Sequence, residues 1–297
     1  MVKLRQIAMV SAANFRRWRR NPQILLAFGL GFIVCFLLSD KVILFSQEHD
    51  TYLQILEPFI WIFGDADSIL TVSLLLLLLF ADMPNLGNDV PLFLIRIDRT
   101  VWILGQILYL ALATFGFLCF ILISTCILSG TRAYTANLWS DTAAILGYSE
   151  IGSKIAVPAF VKVLELSFPY SCAVHIFGLM LGYSLLMSGL ILYLNLWKEN
   201  LGMIGGIVFS GFGFLMNPEV IASLFHFSQE QMNLANIAFG WISPLNHATY
   251  YMHNFGYDNL PELWVSYVFF GVGSAVLFGF SFRRIKTYSF RFTGTQT

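Results

Sequence analysis

The chain has 297 residues, of which 57% are apolar and only 11% are charged, whereas soluble domains carry roughly 25% charged residues. This composition excludes a soluble globular domain and is typical of an integral membrane protein. The formal net charge is zero, so the distribution of the charges carries the information rather than their sum.

Residues 3–20 are predicted to form an amphipathic helix that lies in the membrane interface. The residues that recur at helical spacing on its apolar face are Leu4, Ile7, Ser11, Phe15 and Trp18. The basic residues on the remaining surface, where they can contact lipid phosphates, are Lys3, Arg5, Arg16, Arg17, Arg19 and Arg20. Basic helices also bind nucleic acid, but the membrane span that adjoins this one argues against that here. No small-residue cleavage site follows, so the segment is expected to be an uncleaved anchor.

Six apolar segments are predicted to cross the bilayer as helices. They lie at about 24–45, 61–80, 101–128, 169–197, 201–216 and 263–282. The expected fold is therefore a single all-α transmembrane domain over residues 1–297.

The basic residues predict the orientation of these spans. With the N-terminus inside, all but four of the 17 Lys and Arg residues fall on the inner side. The four exceptions are Lys41, Arg132, Lys154 and Lys162. An excess of Lys and Arg marks the cytoplasmic side, so both termini are expected in the cytoplasm.

The segment from 219 to 262 does not fit a simple loop. It contains two short apolar stretches, at 220–227 and 232–242, and a break at Ser243-Pro244. We expect two short, half-buried helices, re-entrant in character, before the last span.

The polar stretch 81–100, ADMPNLGNDVPLFLIRIDRT, is expected on the cytoplasmic side. Asp89 can cap a short helix that opens at Pro91, on which Arg96 and Arg99 share one face and Phe93 lies on another. Such a helix suits docking onto a soluble partner. A solvated linker with arginines on the inner side is the other interpretation, and the spacing leaves both open.

Two sets of glycines predict close helix packing. Gly178, Gly182 and Gly189 form a stripe on the fourth span, and Gly202 and Gly206 form a second on the fifth. Small residues at such spacing let helix backbones approach each other, either within the chain or between copies.

Asp65 and Asp67 fall inside the second predicted span, near its outer end. Carboxylates at that depth could bind a cation or a proton in a transport pathway. They could equally be hydrated at the outer rim, and the sequence leaves both readings open.

The sequence contains no catalytic motif. The patterns GxxxxGK[ST], HExxH and GxSxG are absent, as is any Cys/His spacing for a metal. We expect no enzymatic activity and no bound metal or cofactor on this chain. His247 and His253 lie among several tyrosines, which an aromatic belt at the membrane surface explains better than a metal site. Four cysteines, expected to be small buried apolar residues, are Cys35, Cys119, Cys126 and Cys172.

This layout resembles the permease subunit of ABC-2-type exporters, which have the type V fold. The shared features are the basic N-terminal stretch NFRRWRRNPQ, six spans with both ends inside, and the run LIRIDRTVWILGQILY after a proline-containing inner loop. A further shared feature is the segment WISPLNH before the last span. The resemblance covers nearly the whole chain and rests more on topology than on any one motif.

In that family the loop between spans two and three carries a coupling helix that docks on an ATPase, and the N-terminal helix touches the same subunit. The contacts that the resemblance implies here are Pro91, Phe93, Arg96, Asp98 and Arg99, with Arg16 and Arg19 nearby. The family's outer re-entrant hairpin would correspond to residues 220–242.

The resemblance also implies the partners. ATP would bind to a separate ABC ATPase subunit, because this chain has no nucleotide-binding domain. Two permease copies, identical or different, would dimerise around a central pathway in a bacterial plasma membrane, surrounded by lipid and without nucleic acid.

Two other classes of function stay open from the sequence. One is a secondary transporter driven by an ion gradient through Asp65 and Asp67, although we find no convincing inverted repeat of the kind many such proteins carry. The other is a membrane protein without transport activity, such as an assembly, immunity or sensory subunit.

Overall fold

The computed structural model describes residues 2–64, 66–84, 94–149, 151–198, 200–216, 218–226, 228 and 231–288. Within these residues the chain is almost wholly helical. The strands among the described residues are the two-residue segments β1 (Leu53–Gln54) and β2 (Ala133–Tyr134), which pair in parallel. The predicted all-α fold class is confirmed.

Four long helices form the framework of the bundle. They are α2 (Pro22–Glu48), α5 (Arg99–Ser129), α9 (Pro169–Asn195) and α14 (Leu263–Thr287). All four are long and apolar enough to cross a membrane. At about 1.5 Å per residue, each is longer than the ~30 Å hydrocarbon core of a bilayer. They coincide with the first, third, fourth and sixth predicted spans, so the chain has the helices of a membrane protein.

Shorter helices fill the connections. They are α1 (Val2–Arg17), α3 (Glu57–Ile62), α4 (Ala66–Phe80), α6 (Asp141–Tyr148), α7 (Ile151–Lys154), α8 (Val161–Leu166), α10 (Leu201–Leu215), α11 (Pro218–Leu224), α12 (Met232–Ile242) and α13 (Pro244–Ala248). Single turns of 3₁₀ helix cover Trp18–Arg20 and Tyr250–Met252.

The second and fifth predicted spans differ from the long helices. The stretch predicted as 61–80 is interrupted after Ile62, and α4 has 15 residues. The helix α10 also has 15 residues, and α11 continues it after a bend of 85°. A 15-residue helix is about 22 Å long and falls short of the hydrocarbon core. By length, the described residues contain four spanning helices, or five when the bent pair counts as one.

The glycine stripes pack helices inside this chain. Gly178, Gly182 and Gly189 face α14, where a Cβ on Gly182 would lie 2.9 Å from the Cβ of Phe270. On α10, a Cβ on Gly202 would lie 2.5 Å from a backbone carbonyl oxygen of α9. The sequence left packing within or between chains open, and these contacts lie within the chain.

The N-terminal helix α1 packs along the first half of α5. Asn14 Nδ2 donates to Gln106 Oε1 at 2.7 Å, and Trp18 Nε1 donates to the Tyr109 hydroxyl at 2.8 Å. Leu4, on the predicted apolar face, is 77% exposed, whereas the polar residue Asn14 is buried against α5. Polar contacts to α5 thus set the rotation of α1.

Candidate functional sites at the two ends of the bundle

The antiparallel helices bring the polar segments together at two ends of the bundle. We call one the basic end: it holds α1, residues 81–84 and 94–99, the end of α9, the start of α10 and the last turn of α14. We call the other the opposite end: it holds α3, α6 to α8 and the residues from 243 to 262. Each end contains one group of predicted site residues.

At the basic end, the predicted coupling contacts are only partly described. Pro91 and Phe93 lie outside the described residues. Residues 95–98 form a turn and a bend, and Arg99 is the first residue of α5. The described part therefore contradicts a short helix that runs to Arg99 with both arginines on one face. Arg96 and Asp98 are exposed.

Arg99 binds the end of the last helix instead of projecting freely. Its Nη1 donates to the carbonyl oxygens of Lys286 at 3.1 Å and Tyr288 at 2.8 Å, with a longer contact of 3.5 Å to Ile285. The last carbonyls of a helix lack partners within the helix and carry partial negative charge. Arg99 therefore caps α14 and joins the start of α5 to it.

A second basic residue caps a helix at this end. Arg284 Nε lies 3.4 Å from the carbonyl oxygen of Leu196, just after the end of α9. The predicted positive-inside residues thus include two that satisfy helix carbonyls as well as adding charge.

Asn195 joins three segments at the basic end. Its Nδ2 donates to the carbonyl oxygens of Ala81 at 2.9 Å and Met83 at 2.6 Å, and its Oδ1 accepts from Gly202 N at 2.7 Å. The side chain is 9% exposed. The residues that follow α4 are therefore fastened to the end of α9 and the start of α10.

The loop between α4 and α5 is thus anchored at both flanks. Asn195 holds residues 81–83, and Arg99 holds the start of α5 against α14. Short polar contacts thus join the two flanks of this loop to α9, α10 and α14. Arg16 and Arg19, the other predicted contacts, are exposed on or just after α1.

At the opposite end, the structure describes only one residue of the predicted acidic pair. Asp65 lies outside the described residues, and Asp67 is exposed in the first turn of α4. Groups of three or more metal-ligating residues are absent from the described part of the chain.

The most buried carboxyl group of the described residues belongs to Glu57. Its Oε1 accepts from Ser140 N at 2.8 Å, and its Oε2 accepts from Ser140 Oγ at 2.7 Å and Gln54 N at 3.1 Å. Burial raises the pKa of Glu57 to about 7, and the three donated hydrogen bonds oppose that rise. Ser140 also caps α6 by accepting from Ala143 N. Glu57 therefore ties α3 to the cap of α6.

The histidines at the opposite end contradict the aromatic-belt interpretation. His247 and His253 are buried, and both approach the hydroxyl of Ser266, at 2.7 Å and 2.8 Å. Beside them, Lys162 Nζ donates to the carbonyl oxygen of His253 at 2.9 Å and pairs with Asp258. A membrane-surface belt would leave these rings half in water, whereas here they form a buried polar network.

Of the four cysteines, Cys35 and Cys172 are buried as predicted, but Cys119 and Cys126 are only half-buried.

Comparisons of the chain with protein-family models, with curated proteins and with solved structures found no match.

Sequence reasoning missed four residues that organise these ends: Asn195, Ser266, Glu57 and Lys162. Asn195 had a usable signal, because an amide within the apolar run LYLNLW is costly unless it finds partners. Ser266 had none, since single serines are frequent in apolar helices and here only the fold brings the two histidines to it.

Proposed function

We propose that this chain is the membrane-spanning permease subunit of an ATP-driven exporter of the ABC-2 type. In this proposal it forms the substrate pathway as a dimer, has six spans with both termini in the cytoplasm of a bacterial cell, and performs no hydrolysis itself. A separate ATPase binds ATP and docks at the basic end.

The observation that carries the proposal is the double anchoring of the loop between α4 and α5. A loop that transmits force needs stiff attachment to the helices that move. Asn195 and Arg99 supply that attachment, to α9 and α10 on one flank and to α14 on the other. A solvated linker would not need these contacts.

The six-span arrangement requires α4 and the bent pair α10–α11 to cross with help from their surroundings. The helix α4 is short, but α3 precedes it and is buried along its whole length. The bend between α10 and α11 resembles a re-entrant element, which membranes tolerate where protein covers the backbone. The bend lies just before residues 220–242, where the resemblance implies an outer re-entrant hairpin.

The docking surface in this proposal includes Arg96, which is exposed, and excludes Arg99 as a primary contact because Arg99 caps α14. Reversing a charge at a docking surface adds repulsion to the lost attraction. Arg96→Glu should therefore release the ATPase without unfolding the permease.

The test is co-expression of the tagged permease with the soluble ATPase encoded by a neighbouring reading frame. We expect the two to co-purify from membranes, and Arg96→Glu to lower the recovered ATPase at least tenfold. Lys154→Glu, an exposed charge reversal at the opposite end, is the matched control. Absence of any co-purifying ATPase, or equal recovery with Arg96→Glu and Lys154→Glu, would contradict the proposal.

A further inference from the structure

Two buried histidines at the opposite end share one hydroxyl group. His247 Nδ1 lies 2.7 Å and His253 Nε2 lies 2.8 Å from Ser266 Oγ. The other ring nitrogens face backbone carbonyls: His247 Nε2 is 3.0 Å from the oxygen of Trp241, and His253 Nδ1 is 3.0 Å from that of Tyr250. The three residues are at most 2% exposed, so their polar atoms depend on one another and on these two carbonyls for hydrogen bonds.

The number of hydrogens in this cluster does not match the number of contacts. A carbonyl oxygen only accepts, so the nitrogen that faces each carbonyl must carry a hydrogen. With both rings neutral, the nitrogens that face Ser266 are then both acceptors. Ser266 has one hydroxyl hydrogen and can donate to only one of them. Four contacts therefore share three hydrogens, and one added proton would complete the set.

The surroundings determine which ring takes that proton. The ring of His247 stacks on Phe269 with 4.8 Å between centroids and 19° between planes. A cation is stabilised over an aromatic face. His253 instead lies beside the ammonium group of Lys162, which donates to its carbonyl oxygen. Positive charge is thus favoured on His247 and opposed on His253.

The titratable and charged groups around the cluster come from several elements. From α8, Lys162 pairs with Asp258 of the segment before α14. The 3₁₀ turn contributes Tyr250, and His175 of α9 stacks on that tyrosine and meets Tyr267 of α14. Lys162 is the cation among these groups and lies on the side of His253.

Burial affects both rings in the same direction. It lowers the pKa of His247 below its ordinary value. For His253, burial first and then the charges of His247 and Lys162 lower the pKa to about 4, against the hydrogen bonds to the backbone. The charge of Lys162 opposes a proton on His253 in addition to burial, so we expect His247 to take up a proton first as the pH falls.

We propose that His247, Ser266 and His253 form a binding site for a single proton, held on His247. When the proton is bound, His247 donates to Trp241 and Ser266, Ser266 donates to His253, and His253 donates to Tyr250. When it is absent, Ser266 releases one of the two rings. Because Ser266 lies in the first turn of α14, proton uptake tightens the segment 243–253 against the last helix.

The test is a histidine titration by NMR on full-length protein, labelled at its histidines and held in lipid nanodiscs, from about pH 8 to pH 4.5. Single substitutions at each of the five histidines assign the signals. We expect His247 to take up one proton below pH 6.5 while His253 stays neutral until more acidic pH. Ser266→Ala removes the acceptor of the imidazolium and should lower the proton affinity of His247 about tenfold, a shift of ~1 pH unit.

Ser274→Ala is the matched control, because Ser274 is a buried serine on the same helix whose hydroxyl has no hydrogen-bond partner among the described residues. It should leave the titration unchanged. Phe269→Leu keeps Ser266 and removes the aromatic face, so it should lower the proton affinity of His247 about threefold. This variant tests the site independently if Ser266→Ala does not fold. The proposal is overturned if His247 stays neutral throughout, or if it titrates identically in the wild type, Phe269→Leu and any folded Ser266→Ala.

Discussion

The guanidinium of Arg99 donates a hydrogen bond to the carbonyl oxygen of Tyr288, with 2.8 Å between Nη1 and O. This contact joins the first residue of α5 to the chain just beyond α14. A residue that the sequence suggests as a docking group is thus part of this chain's own structure.

Arg99→Ala should lower the stability of the protein by about 1 kcal/mol, because the last carbonyls of α14 lose a cationic partner. Hydrogen exchange should also become faster in the last turn of α14. Thermal unfolding in detergent and exchange mass spectrometry measure the two effects. Arg96→Ala, at an exposed position in the same stretch, should change neither. Equal effects of the two substitutions would refute the capping role.

Asn195→Asp should destabilise the basic end by roughly 2–3 kcal/mol. The carboxylate can still accept from Gly202 but cannot donate to Ala81 or Met83, so two carbonyls lose their donor. The measurement is thermal unfolding, together with limited proteolysis between α4 and α5. Asn233→Asp, at an exposed site on α12, is the control and should be neutral. Unchanged proteolysis in Asn195→Asp would mean that this amide does not anchor the loop.

Gly182→Leu should lower stability or abolish folding, because its Cβ alone would meet Phe270 at 2.9 Å and overpacking typically costs about 1–3 kcal/mol. Gly206→Leu should act similarly through contacts to α4 and α9. Gly279→Leu is the control, since no atom lies within 4 Å of a Cβ built there. Size-exclusion profiles and melting temperatures report the result. Normal behaviour of both stripe variants would show that the helices are less closely packed than described.

Glu57 should make stability depend on pH. Because its pKa is raised from 4.5 to about 7 on folding, the folded state holds a proton that the unfolded state releases between those values. The stability that this group contributes should therefore be fully present below about pH 4.5 and be lost as the pH rises through 7, by on the order of 3 kcal/mol. Glu57→Gln, which stays neutral, should flatten that part of the curve of melting temperature against pH. An unchanged curve would contradict the raised pKa.

Labelling of single cysteines tests the orientation of the bundle. In a cysteine-free background, Cys at Gln47 and at Ala136 should react with an impermeant thiol reagent added to intact cells. Both positions are exposed at the opposite end. Cys at Ile95 and at Thr287, exposed at the basic end, should react only after lysis. Reaction of Ile95→Cys from outside would exclude a crossing by α4 and with it the six-span arrangement.

The four long helices could be predicted because their signal is local. Each contains an 18-residue window that is apolar enough to cross a membrane, and the sum of its transfer free energies does not depend on the rest of the fold. The shorter elements could not be predicted in the same way. The helices α4 and α10 have 15 residues each and end at Phe80 and Leu215. The local sequence does not show whether an apolar stretch of this length is part of a longer span or a separate short helix.

The candidate sites were predicted less well than the helices. Spacing on an ideal helix placed Arg96 and Arg99 together, but the turn at 95–98 separates their roles. Clustering with tyrosines suggested a surface belt for His247 and His253, yet both are buried. Spacing and clustering describe neighbours along the chain, whereas these side chains bind residues from other segments.

The sequence by itself determined that this is an all-α protein with helices that can cross a membrane, because hydrophobicity accumulates residue by residue along each segment. Only the tertiary structure decided which polar groups meet. Asn195 and Met83 are 112 residues apart, and Arg99 and Tyr288 are 189 apart. A hydrogen bond requires its two atoms to lie about 3 Å apart, and over such separations that distance is a property of the packed bundle alone.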